Sequence, residues 1–109
     1  VMNNRSLGLI QQQQDDIFDG RYYSSVAEGG YLTPDFCEIG KAYKLNSYKA
    51  KGRKELEEVL KKLDLSKPNL IDVELDVKSR AYPKTFFGEE MHNQKPYMPE
   101  ELLKSILAE

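Results

Sequence analysis

Residues 1–12 of the chain read VMNNRSLGLIQQ. A short apolar start runs into Asn3 and Asn4, and these are followed by Gly8 and a stretch that can open a helix. Amide oxygens are hard ligands for magnesium, glycine allows close approach of the backbone, and a helix N-terminus favours an anionic phosphate. The order of strand end, tandem amides, glycine and helix therefore predicts a site for a metal-diphosphate group.

The composition limits the classes of protein to which the chain can belong. Its 109 residues, 39% of them hydrophobic, suffice for one modest domain. The 16 basic and 18 acidic residues leave a net charge of -2, which argues against nucleic acid as a partner. No apolar run approaches the roughly 20 residues that cross a bilayer, so no membrane partner is predicted. The single cysteine, Cys37, favours a reducing cytoplasm.

Periodicity predicts an alternation of helices and strands. Leu56, Val59, Leu60 and Leu63 follow the spacing of one helix face, which makes residues 52–63 the clearest helix. Apolar and acidic residues alternate over 70–77, as in a strand. The remaining predicted elements are a helix after the tandem amides that ends at Asp19-Gly20, a helix opened by Thr33-Pro34-Asp35, a short strand over 46–50 and a final helix opened by Pro99.

This order of elements predicts an α/β fold. Strands that alternate with helices imply a parallel sheet with right-handed crossovers. We therefore expect a partial three-layer parallel sheet with flanking helices over residues 1–77. The pattern fails after Val77, so residues 78–109 are expected to form a C-terminal arm that carries the last helix and lies across a larger body. The abrupt start at Val1 also suggests that an upstream part is missing.

Several segments, taken in order, resemble the acetolactate-synthase-like enzymes that use thiamine diphosphate. In that family the cofactor motif begins with Gly-Asp-Gly and closes with Asn-Asn, which residues 3–11 (NNRSLGLIQ) resemble. The further similar segments are 18–22 (FDGRY), 34–36 with 42–43, 55–60 and 68–73. Residues 96–102 (PYMPEEL) are similar to the tail of a subgroup linked to surface-polysaccharide synthesis. The resemblance implies the C-terminal part of a thiamine-diphosphate-binding domain.

The resemblance also implies cofactors and site residues. Asn4 would give a side-chain oxygen to Mg²⁺, and Ser6 would give its backbone carbonyl. The residues implied to line the diphosphate of thiamine diphosphate are Asn4, Arg5, Ser6, Leu7, Gly8 and Leu9. No catalytic residue is implied in this chain, because the aspartate of Gly-Asp-Gly and the activating glutamate of the family are absent from it.

The implied activity is that of a 2-keto acid decarboxylase or carboligase. The partners would be the rest of the same enzyme chain, further copies in a homo-oligomer and a small-molecule 2-keto acid, and this chain would be inactive by itself. Gln13 stands where true acetolactate synthases have a tryptophan that shapes the acceptor channel. A non-catalytic α/β interaction module of the same fold is the alternative.

Other residues also have plain structural interpretations. The tandem amides fit an ordinary turn, and Ser6 fits a helix cap. Asp72, Glu74 and Asp76 share one face of a predicted strand, which we expect to face solvent. Cys37 is expected to be a small core hydrophobe and His92 a surface residue. The aromatic pair Phe86-Phe87 is expected to pack the arm.

Overall fold

The computed structural model describes residues 1–86 and 88–108, which form a small α/β unit. The strands are β1 (Met2–Asn3), β2 (Asn46–Lys51), β3 (Asn69–Glu74), β4 (Lys84–Thr85) and β5 (Gln94–Lys95). The helices are α1 (Gly8–Ile17), α2 (Phe36–Ala42), α3 (Gly52–Lys62) and α4 (Glu100–Leu107), and a 3₁₀ turn covers Ala27–Gly29. The predicted succession of strand, helix, helix, strand, helix and strand is confirmed.

The main sheet is parallel, with the strand order β1-β3-β2. Its register sets Asn3 beside Glu74 and Glu74 beside Lys51, so all three strands end at the same edge. Because ligands of parallel α/β sheets bind outside the carboxyl ends of the strands, this edge is where a site is expected. The loop from β1 to α1 begins there.

Helix α2 begins two residues later than the sequence suggested. Of the three residues predicted to open it, Asp35 is the cap, and its side chain accepts a hydrogen bond of 3.0 Å from the backbone N–H of Glu38. Hydrogen bonds from the backbone hold the pKa of Asp35 below its usual value. Gly40 lets this helix approach the sheet closely, because a Cβ atom there would collide with the Ser47 hydroxyl and press on Leu70.

The predicted solvent-facing row of carboxylates on β3 is wrong. The strand ends at Glu74 rather than Val77, and Asp72 is only 2% exposed. Glu74 is partly buried and pairs with Arg5, whereas Asp76 is exposed in the turn that follows. The reason is topology, since β3 is the central strand of a parallel sheet, helices cover the faces of such sheets, and α2 and α3 both contact β3.

The segment after the sheet is fastened to α1. Gln12 bonds both backbone groups of Ala81, donating to its carbonyl at 3.3 Å and accepting from its N–H at 3.1 Å. Arg80 reaches Asp15 at 2.9 Å and Asp16 at 3.0 Å. Residues 78–86 therefore lie along α1 as a strap, which then leads to the antiparallel β4-β5 pair and α4.

Phe86 is the described member of the expected aromatic pair. The centroid of its ring lies 4.5 Å from the Lys84 ammonium and 4.2 Å from the Lys95 ammonium. Phe87 lies outside the described residues. The boundary between a domain over 1–77 and an arm over 78–109 stays a prediction.

The chain exposes more surface to solvent than a compact domain of its length. Among the described residues only Val26, Ala50 and Val73 are buried apolar residues. The accessible surface is 8563 Å², whereas about 6,200 Å² is typical of a folded chain of this length. The radius of gyration is 17.9 Å, against roughly 13 Å for a compact domain of this size. Within the ranges described, no helix combines the length and apolar character needed to cross a bilayer.

Candidate functional site

The loop between β1 and α1 is shaped by the two asparagine side chains. The Asn3 Oδ1 atom accepts from the Arg5 backbone N–H at 2.9 Å, and the Asn4 Oδ1 atom accepts from the Ser6 N–H at 3.3 Å. Each asparagine side chain thus accepts a hydrogen bond from the backbone N–H of the residue two positions later, which is the usual arrangement of an asparagine in a turn. Arg5 between them has a left-handed backbone, with φ of 57°, which is uncommon for a residue with a side chain.

Asn4 is the buried member of the pair, with 8% of its surface exposed. Its Nδ2 atom donates to the Val77 carbonyl at 3.4 Å. A Cβ atom built on Gly8 would lie 2.9 Å from that same Nδ2 atom, closer than real Cβ contacts come. The glycine that the sequence analysis assigned to close backbone approach therefore makes room for the Asn4 side chain.

Ser6 does not cap α1. The residue before the helix is Leu7, no side chain caps the helix, and the Ser6 hydroxyl donates to Gln11 Oε1 at 2.8 Å. Across residues 1–86 and 88–108, no backbone N–H donates a hydrogen bond to the Ser6 carbonyl oxygen. That oxygen therefore keeps its capacity to bind another group.

These groups meet in an open cleft of about 400 Å³. One wall is formed by Asn4, Ser6, Gly8 and Leu9, together with Met2, and the other by Leu75, Ser79, Arg80 and Ala81. The structure thus brings four of the six predicted binding residues together. The second wall was not predicted, because Ser79, Arg80 and Ala81 follow no periodic pattern and Leu75 was assigned only to a strand.

Arg5 and Leu7 lie outside this lining. The Arg5 guanidinium lies 2.8 Å from one carboxylate oxygen of Glu74. The Lys51 ammonium lies 3.7 Å from the other oxygen. Leu7 is 37% exposed, and its N–H donates to the carbonyl of the buried Ser25 at 2.8 Å. Both residues therefore hold the ends of the loop to neighbouring segments.

The donor set suits a hard cation that is shared with a phosphate group. The described ranges contain no group of three His, Cys, Asp or Glu residues that could hold a metal. An amide oxygen from Asn4 and a carbonyl oxygen from Ser6 lie beside the start of α1. Magnesium takes few protein ligands when phosphates supply the others, and the first N–H groups of a helix lack internal partners. The residues present therefore fit a magnesium-diphosphate group.

The fold is that of an α/β domain with a cleft beside the carboxyl ends of its parallel strands, the place where such sheets bind ligands. Residues 1–73 match the family model described as thiamine pyrophosphate enzyme, C-terminal TPP binding domain. The chain belongs to this family, and the predicted resemblance is confirmed.

Its relatives include large subunits of acetolactate synthase. The chain is 34% identical over 91 residues to the acetolactate synthase large subunit of Buchnera aphidicola subsp. Schizaphis graminum, covering 80% of this chain and 15% of the relative. It is 31% identical over 91 residues to the isozyme 3 large subunit of Escherichia coli K12, with the same two coverages. The chain thus spans about 15% of the length of these relatives.

Cys37 and His92 lie away from the cleft. The Cys37 thiol is partly buried and donates to the Tyr48 carbonyl at 3.4 Å. Burial, and then the nearby charge of Asp72, raise the pKa of Cys37. The His92 side chain is 41% exposed and lies 3.0 Å from Glu90, at the surface as expected.

Proposed function

We propose that the loop from Asn4 to Leu9 binds the magnesium-bridged diphosphate of thiamine diphosphate within a 2-keto acid decarboxylase or carboligase. The observation that carries this proposal is the meeting of Asn4, Ser6 and Gly8 in one cleft at the start of α1. The family match to a thiamine-pyrophosphate-binding domain supports the choice of cofactor. The relatives' name, acetolactate synthase, supports the reaction class.

Each residue of the loop has a defined part in this proposal. Asn4 Oδ1 and the Ser6 carbonyl hold Mg²⁺, and the N–H groups at the start of α1 bind phosphate oxygens. Leu9 and Met2 supply apolar surface to the lining of the cleft. Arg5 and Leu7 lie outside the lining of the cleft and act indirectly, because they hold the loop to Glu74 and to Ser25. Thiamine diphosphate, when bound, supplies carbanion stabilisation at its ylid carbon.

The chain by itself is proposed to be inactive. The described lining of the cleft contains no carboxylate and no histidine that could move a proton. We infer that the acid-base groups come from the rest of the enzyme chain or from another copy in a homo-oligomer. The uncovered apolar surface of this segment supports such covering partners. The single free thiol fits a reducing cytoplasm.

Two further features of the sequence bear on the acceptor substrate and on the pathway. Gln13 replaces the tryptophan of true acetolactate synthases and, with Leu9 and Ile17, lines a second open cleft along α1. We propose that the substrate is a small 2-keto acid and that Gln13 changes the choice of acceptor. The similarity of residues 96–102 to one subgroup favours a role in surface-polysaccharide synthesis.

Asn4→Ala in the complete polypeptide encoded by the gene is the test of this proposal. We expect calorimetric titration with Mg²⁺ and thiamine diphosphate to show saturable binding to the wild type. Removal of a metal ligand should weaken that binding by 10-fold or more, since even residues behind the ligands contribute 10- to 100-fold. Asn93→Ala, in the arm, is the matched control. Binding that survives Asn4→Ala unchanged would reject the metal role of Asn4, whereas no binding to the wild type would favour the non-catalytic interaction module.

A further inference from the structure

Asp72 is a buried carboxylate beside the loop of the proposed site. It lies on the central strand β3 and is 2% exposed. Its Oδ2 atom accepts a hydrogen bond of 3.3 Å from the Nδ2 atom of Asn3. Its Oδ1 atom is buried and has no hydrogen-bond partner among residues 1–86 and 88–108.

The chemistry of a carboxylate determines how the Asn3 amide is oriented. The amide turns its NH₂ group towards Asp72, because the Oδ2 atom of that carboxylate accepts its hydrogen bond. The Asn3 Oδ1 atom is then left to accept from the Arg5 N–H, which it does at 2.9 Å. One amide group therefore connects the centre of the sheet to the first turn of the loop.

That turn sets the path of the backbone into the site. Arg5 has a φ of 57°, a conformation that a residue with a side chain adopts only when its surroundings favour it. Asn4 and Ser6, the proposed magnesium ligands, stand on either side of it. A change in the Asn3 hydrogen bond would therefore move both ligands.

We propose that Asp72, acting through Asn3, is a positioning residue for the magnesium-diphosphate loop; this inference rests on the proposed function. Asp72 does not touch the metal or the cofactor. It fixes which end of the Asn3 amide meets the Arg5 N–H, and the loop is thereby held in its binding conformation before any ligand arrives.

Because Asp72 is buried, a role in positioning the loop can be distinguished from a contribution to the stability of the fold. A buried charge with one unpaired oxygen is unfavourable for folding. An asparagine of the same shape removes that cost, but it can present either its oxygen or its NH₂ group to Asn3. The neutral variant should thus keep or raise stability while it loosens the loop, so stability and metal binding should respond differently.

The experiment compares Asp72→Asn with the wild type in the complete polypeptide. Mg²⁺ is titrated calorimetrically in the presence of thiamine diphosphate, and thermal unfolding is followed without either ligand. We expect the dissociation constant for Mg²⁺ to rise 10- to 100-fold, as for other residues that orient metal ligands, with an unchanged or higher midpoint of unfolding. Asp19→Asn makes the same chemical change at an exposed site and should alter neither measurement.

Exchanging the two side chains provides a rescue. Asn3→Asp alone sets two carboxylates against each other and should weaken binding. The double variant Asn3→Asp, Asp72→Asn restores a donor facing an acceptor, and the new carboxylate at position 3 can still accept from the Arg5 N–H. We expect its affinity for Mg²⁺ to return to within about 3-fold of the wild type, a coupling that a double-mutant cycle measures.

Three results would overturn the inference: unchanged Mg²⁺ affinity in Asp72→Asn, a parallel loss of affinity and thermal stability in that variant, or no rescue by the exchange. Failure of the proposed function is separate, since it would appear as unchanged binding in Asn4→Ala or as no binding in the wild type. Loss of binding in Asn4→Ala together with unchanged binding in Asp72→Asn would reject only the positioning role.

Discussion

At the scale of single residues, the site depends on small distances inside one loop. The backbone of Gly8 leaves room for the Nδ2 atom of Asn4, and Asn4 in turn bonds the backbone of Ser6 and the carbonyl of Val77. Enlarging or removing one of these side chains therefore affects the others. The loop should respond to substitution as a unit and not as a sum of independent contacts.

Gly8→Ala tests the close contact with Asn4. The added methyl group would lie 2.9 Å from the Asn4 Nδ2 atom and must displace that side chain. We expect a 10-fold or greater loss of affinity for Mg²⁺ and thiamine diphosphate, measured by calorimetry. The free energy of unfolding should change by less than about 1 kcal/mol, because alanine favours a helix. In an Asn4→Ala background the same change should have no further effect, and an additive loss would contradict the account.

The thiol of Cys37 should react slowly. Burial and then the charge of Asp72 raise its pKa, and only the thiolate is an effective nucleophile. We expect the rate of alkylation by iodoacetamide near neutral pH to fall below that of a thiol in a short peptide. Asp72→Asn should increase the rate, because it removes a negative charge. A Cys37 that reacts as fast as the peptide thiol would show that this environment is wrongly described.

The residues of the site were predictable where local chemistry determines them. The tandem amides and Gly8 were predicted from a local pattern of hard oxygens and a glycine before a helix, whereas the role of Ser6 was implied by the family resemblance. The solvent-facing position predicted for Asp72 was wrong, since alternation along a strand does not reveal whether helices cover that face of the sheet. The second wall of the cleft was not predicted because tertiary structure brings residues 79–81 into the same cleft as Gly8.

At the scale of elements, the strap over residues 78–86 depends on charge. Lys84 and then Arg80 donate hydrogen bonds to the Asp16 carboxylate and lower its pKa. Because the pKa is lower in the folded state than in the unfolded state, these bonds stabilise the strap fully above the ordinary aspartate pKa of about 3.9. That stabilisation is lost as the pH falls through the folded pKa.

Hydrogen exchange of residues 78–86 tests this pH dependence. After correction for the intrinsic rates, we expect protection to be constant near neutral pH and to decrease below about pH 4. Asp16→Asn should reduce protection at neutral pH and remove most of the acid-dependent decrease. Asp19→Asn is the control, since Asp19 is exposed at the end of α1. A strap whose protection does not change with acid would contradict the role of Asp16.

Periodicity predicted which helices and strands form more accurately than it predicted the residues at which they end. Helix α3 was expected to end at Leu63 and ends at Lys62, and the strand expected over 46–50 extends to Lys51. Strand β3 ends at Glu74 although the alternation continues to Val77. Pairing with β1 and β2 reaches only Glu74, and hydrogen-bonded pairing, which the sequence does not display, decides where a strand ends.

At the scale of the whole molecule, the exposed apolar surface is the dominant feature. Leu32, Leu65 and Met91 are each more than 85% exposed, and α4 presents Leu102 and Ile106 at about half exposure. Large exposed apolar areas mark surfaces that other protein covers. The outer strands β1 and β2 also leave sheet edges that invite pairing.

Residues 1–109 produced alone should therefore associate with themselves. We expect light scattering during size-exclusion chromatography to show dimers or larger species, and a hydrophobic dye to bind strongly. The complete polypeptide, with these surfaces covered, should bind much less dye per chain. A monodisperse monomer of residues 1–109 with a cooperative thermal transition and little dye binding would contradict this expectation.

The most direct test of the central claim is a crystal structure of the complete polypeptide with Mg²⁺ and thiamine diphosphate. The account predicts that Asn4 Oδ1 and the Ser6 carbonyl oxygen lie about 2.0–2.1 Å from the metal, in octahedral coordination completed by diphosphate oxygens. The Asn3 amide should still donate to Asp72. A magnesium ion coordinated by neither Asn4 nor Ser6, or a diphosphate bound away from the start of α1, would contradict it.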